Sequence, residues 1–101
     1  MTTTTATRIP LPPGAETVGE WVIDEGERVT RMFRGTTRGD RVRIEIEGEQ
    51  DYSGRVVQRV AHVDAGPYGA DLDADALRKL SADVLAAADE MDTLSDSAGA
   101  P

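Results

Sequence analysis

Cysteine is absent from this 101-residue chain, so disulfide staples, thiol nucleophiles and thiolate metal sites are excluded together. Aromatic residues are scarce: Trp21, Phe33, Tyr52 and Tyr68 are the full set. Alanine supplies much of the 39% hydrophobic content, so a lone core would be thin, which favours burial of more apolar surface in a homodimer. No stretch approaches the roughly 18 apolar residues of a membrane span, and the opening MTTTTATRIPLPPG lacks the apolar middle of a signal peptide. A single small domain, soluble and cytoplasmic, is the expectation.

Catalytic equipment is also missing. His62 is the single histidine and, without cysteine or a second histidine, cannot build a typical zinc site; Ser53 and Ser81 lack the G-x-S-x-G setting of a hydrolytic nucleophile. The acids Asp71, Asp73 and Asp75 lack the central glycine and distal glutamate of a calcium loop and suit the start of a helix instead. The chain therefore reads as non-enzymatic, with no cofactor and no metal.

Lysine is almost absent, Lys79 standing against ten arginines, and the formal net charge is -8. Charge is uneven along the chain. Residues 1–27 carry one arginine against five acids, residues 28–63 carry eight against five, and residues 64–101 carry two basic residues against nine acids.

Hydrophobic patterning then marks the elements. Residues 1–13, with a threonine run and PLPP, show no periodicity and read as a flexible or extended arm; SDSAGAP, residues 95–101, reads as a disordered tail. EWVID (Glu20 to Asp24) and RVTRMFRG (Arg28 to Gly35) form a plausible hairpin around DEGE. In RVRIEIEG, Val42, Ile44 and Ile46 alternate with Arg41, Arg43, Glu45 and Glu47, the period of two of a half-buried strand. RVVQRVAHV (Arg55 to Val63) reads as a fourth strand after the turn residues Gly48, Asp51 and Gly54.

Gly66, Pro67 and Gly69 break the sheet, and Asp73 caps a helix from Ala74. Leu77, Leu80, Val84, Leu85, Ala88, Met91 and Leu94, at steps of three and four, place its apolar face. The expected fold is α+β: a four-stranded antiparallel β-meander packed against one C-terminal amphipathic helix, within a single domain of residues 14–94.

The spaced elements W..D.G, FRGT, I.I.G.Q, SGRV..RV and LRKLSADVLAAADEMD resemble short proteins of unknown function from actinobacteria and their phages, including mycobacteriophages. The resemblance spans roughly Leu11 to Leu94 and rests on fold residues, so it transfers no active site. It implies a small cytoplasmic role in prophage control or host takeover.

The stretch from Arg28 to Ile44 holds six arginines and one aspartate, Asp40. Strand alternation separates Arg28 and Arg34 from Arg31, a loop holds Arg38, and Arg41 and Arg43 share a wet face with Glu45 and Glu47, where cross-strand Arg–Glu pairing is expected. A protein-interaction module follows, with Arg34, Arg38, Arg41, Arg43, Glu45 and Arg59 as partner-binding residues and an unidentified protein as partner. The alternative is a DNA-binding regulator using residues 28–43. Phosphate neutralisation would have to overcome the acidic segments on both sides, which makes nucleic acid the weaker expectation.

Overall fold

The computed structural model describes residues 9–99, with side chains up to residue 95. Residues 1–8 of the expected arm and residues 100–101 of the expected tail lie outside the described residues. In chain order the elements are β1 (Thr17–Val18), β2 (Val22–Ile23), β3 (Val29–Arg38), β4 (Arg43–Asp51), β5 (Val56–Asp64) and α1 (Ala74–Gly99). All pairings are antiparallel in the order β1-β3-β4-β5, with β2 also on β3. This is an α+β meander with one C-terminal helix.

The first strand of the meander is broken. β1 lies against Phe33 and Arg34, β2 against Val29 and Thr30, and between them only the Gly19 N–H reaches across, donating to the Met32 carbonyl at 2.8 Å. β3 is longer than its pattern suggests. Its register on β4 slips between Arg34 and Thr37, so that Gly35 and Thr36 both oppose Ile46 in a bulge. Thr36 to Arg38 thus stay in the strand, Arg38 opposite Ile44, where alternation alone places a loop.

Two hairpins share one design. In both DEGER (24–28) and DYSGR (51–55), the aspartate Oδ1 accepts backbone N–H groups two and four residues on: Gly26 and Arg28 for Asp24, Ser53 and Arg55 for Asp51. Each arginine side chain returns to its aspartate, at 3.1 Å and 3.7 Å. The third loop position takes a left-handed backbone, which suits Gly54 (φ 97°) but is forced on Glu27 (φ 64°). These contacts hold both aspartates below the usual carboxylate pKa range, Asp24 chiefly through the Arg28 N–H and Asp51 chiefly through the Ser53 side chain.

The covered face of the sheet carries Phe33, Ile44 and Ile46, with Val42 at its margin and Ala87 of α1 above. Phe33 opposes Gly48, and a Cβ there would lie 2.5 Å from the Phe33 ring, so the glycine is what lets the ring lie flat across the neighbouring strand. The guanidinium of Arg59, next in that row on β5, sits 5.5 Å from the centre of the Phe33 ring.

Residues 9–14 cross the same face as a strap that ends in a turn at Pro13 and Gly14, closed by the Ala15 N–H donating to the Pro12 carbonyl. Pro10, Pro12 and Pro13 bring carbonyl acceptors with no N–H donors, so the strap can be laid on a sheet face if that face supplies donors. Arg31 donates to the Ile9 and Pro10 carbonyls, Gln50 to Pro10 and Arg59 to Pro13. Arg31 is 6% exposed yet has no carboxylate partner among the described residues. The Gln50 Oε1 at 2.8 Å and the Trp21 ring at 4.5 Å complete its setting, and Tyr52 meets Trp21 edge-on.

α1 begins where Asp73 accepts the Ala76 N–H, as a cap should, and it continues past Leu94 to Gly99. Its rotation differs from the one its apolar spacing suggests. Ala87 is the buried centre, while Leu77, Val84 and Leu85 remain 53%, 45% and 62% exposed. Small Ala87 permits a close approach to the sheet. Glu90 fixes the roll by accepting from the Thr36 hydroxyl at 3.0 Å and from Arg38 at 2.6 Å. No helix among the described residues is long and apolar enough to cross a membrane.

Candidate interaction surface

The strap and α1 occupy one side of the sheet, so among the described residues the other side is open. The register determines what it displays. From β3 come Met32, Arg34 and Thr37; from β4 Arg43, Glu45, Glu47, Glu49 and Asp51; from β5 Gln58, Val60, His62 and Asp64. Two arginines stand against five carboxylates. Arg34, Thr37, Arg43, Glu45, His62 and Asp64 line a shallow depression of about 250 Å³ at one end of this face.

Three of the six residues expected to bind a partner meet in this depression: Arg34, Arg43 and Glu45. The other three go elsewhere. Arg38 lies across the sheet under α1, paired with Glu90, because the bulge at Gly35 and Thr36 resets the side-chain alternation. Arg59 lies on the covered face between Phe33 and the strap. Burial depresses its pKa, with the charge of Glu90 acting in the opposite direction, and its Nε is buried without a hydrogen-bond partner among the described residues. Arg41 sits in the β3–β4 turn and donates to the Asp71 carbonyl at 3.2 Å, tying that turn to the approach of α1.

The arginine-rich stretch is therefore dispersed. Arg28 belongs to a hairpin turn, Arg31 to the interior, Arg38 to the helix contact and Arg41 to the β3–β4 turn, which leaves Arg34 and Arg43 on the open face. The expected cross-strand partners are in register, Arg34 opposite Glu47 and Arg43 opposite Asp64. Neither pair closes to an ion pair within 4.0 Å among the described residues. Both guanidinium groups thus keep donors for an outside acceptor.

Thr37, His62 and Asp64 are the members of the depression that sequence reasoning passed over as a site. Thr37 and His62 are the direct cross-strand neighbours of Glu45, and Asp64 opposes Arg43. Thr37 reaches the Glu45 carboxylate only at 3.4 Å. Alternation along β5 could have placed His62, but Thr37 depends on the bulge. Exposed Met32 and Val60 lie on the same face, giving it apolar ground among the charges.

Compared with protein-family models, with curated proteins and with solved structures, the chain matches none of them.

Proposed function

We propose that this chain is a small non-enzymatic protein-interaction module whose open sheet face receives a protein partner. In keeping with its resemblance to short phage proteins, the proposed partner is a host protein whose activity the module modulates. The observation that carries this reading is the state of Arg34 and Arg43: exposed, in one depression with Glu45 and His62, and outside any close ion pair among the described residues. Apolar side chains beside hydrogen-bonding groups of both signs make up the usual chemistry of a non-obligate interface. Arginine is favoured there because its planar fork engages carboxylates in two bonds at once.

The test compares proteins retained from an actinobacterial lysate by the wild-type chain and by an Arg34→Glu, Arg43→Glu double variant. Both positions are exposed, so the variant is expected to keep its circular-dichroism spectrum. A protein held by the wild type and released by the variant supports the reading. Equal retention by the two, or no retained protein, overturns it.

A further inference from the structure

The sheet has two unlike edges. On one, the pairing of β1 and β2 with β3 is broken into two-residue pieces around Gly19, Glu20 and Trp21. Short, interrupted strands of this kind are a recognised protection against pairing with another chain. On the other, β5 runs nine residues from Val56 to Asp64, and residues 60–64 are all exposed. It has no proline and no lysine, and its sole arginine, Arg59, is turned to the covered face and engaged with the strap. Of the usual blunting devices, its second half carries only the charge of Asp64, at its very end.

Above this open edge lies the exposed apolar side of α1. Asp83, Lys79 and Glu90 define the side of the helix that faces β3 and the β3–β4 turn. At 100° per residue, Leu77, Val84 and Ala88 fall on the opposite shoulder, and the strand order puts β5 beneath that shoulder. Val63, 58% exposed, and Ala61 project from β5 on the same side of the sheet as the helix. Exposed backbone donors and acceptors thus adjoin an apolar strip, the combination from which strand addition draws affinity.

We infer that the outer edge of β5 and the adjoining shoulder of α1 form the interface with a second copy of this chain. The charge pattern selects that occupant. β5 begins after Arg55 and ends at Asp64, so an antiparallel copy brings the basic end of each strand to the acidic end of the other. Pairing centred on Val60 sets Gln58 against His62 and Arg59 against Ala61 of the second copy, with no like charges opposed. The two-fold axis of such a pair stands perpendicular to the sheet, so both helices lie on one side of a continuous sheet with their Leu77 and Val84 shoulders facing. The interface uses neither Arg34 nor Arg43, so it stands or falls independently of the partner on the open face.

Light scattering across a dilution series tests the assembly. The wild-type chain is expected at twice its monomer mass of 10.8 kDa when concentrated. Val63→Lys and Leu77→Glu, both at exposed positions, are expected to halve the mass at the same concentration. Ile23→Glu on the far edge is expected to leave it unchanged. A wild type that is monomeric throughout, or edge variants that stay dimeric, overturns the inference. Should a variant lose its helical signal, amide exchange on the wild type decides instead: protection of β5 amides that grows with concentration supports the interface, and concentration-independent exchange refutes it.

Discussion

At Gly48 a missing side chain organises the interior. The Phe33 ring and the Gln58 carbonyl oxygen of β5 both occupy the space a Cβ would need, so Gly48→Ala must push the largest buried residue out of its rotamer and force β5 from β4. Overpacking of this kind costs roughly 1–3 kcal/mol, and the expected result is a lower thermal midpoint with retained secondary structure by circular dichroism. Glu27 presents the opposite case. Its backbone holds a left-handed conformation that is natural for glycine, and the equivalent position of the other hairpin is Gly54. Glu27→Gly is expected to stabilise by about 1 kcal/mol, raising the thermal midpoint by roughly 4–8 °C in differential scanning calorimetry. The D-x-x-x-R spacing of both turns is visible in the sequence, but its meaning as one repeated hairpin rests on backbone N–H groups that composition does not display.

At the scale of elements, the two hairpins make the sheet sensitive to acid. Asp24 and Asp51 both have lowered folded-state pKa values, so between those values and the ordinary aspartate range near about 4 the unfolded chain binds more protons. Their contribution is complete above that range and is lost as pH falls through the lowered folded values. Urea denaturation of the wild type is thus expected to weaken on going from mildly acidic to strongly acidic buffer. An Asp24→Asn, Asp51→Asn variant is expected to weaken by less over the same interval. The helix shows the other limit of reasoning by element. Its apolar spacing establishes that a helix exists, yet Glu90 and small Ala87 decide which side meets the sheet, leaving larger Leu77, Val84 and Leu85 outside.

For the whole molecule, the strap links the terminal segment to the interior. A chain beginning at Ala15 would open this face to water and lose the hydrogen bonds that Arg31, Gln50 and Arg59 donate to the strap. The expected loss is roughly 2–4 kcal/mol, measured as a fall in the urea midpoint, because each such bond contributes about 0.5–1.5 kcal/mol net. The dispersal of the arginines has a consequence at this scale too. With Arg34 and Arg43 facing five carboxylates on the open side, a gel shift at low salt is expected to show no complex with duplex DNA; a complex that weakens steeply with added salt would favour the DNA-binding alternative.

Local pattern in the sequence was enough for the meander, the helix and the inward set Val42, Ile44 and Ile46, since periods of two and of three to four follow directly from strand and helix geometry. Part of the candidate site was legible for the same reason: Arg43 and Glu45 share a face by alternation, and Arg34 keeps to it up to the bulge. What only the tertiary structure decided was where alternation stops. The extra residue in β3 carries Arg38 to the helix side, the proline strap draws Arg31 and Arg59 inward as donors to its carbonyls, and the Glu90 contacts set the roll of α1. Each depends on a partner distant in the chain, and a pattern confined to neighbouring residues holds no information about that partner.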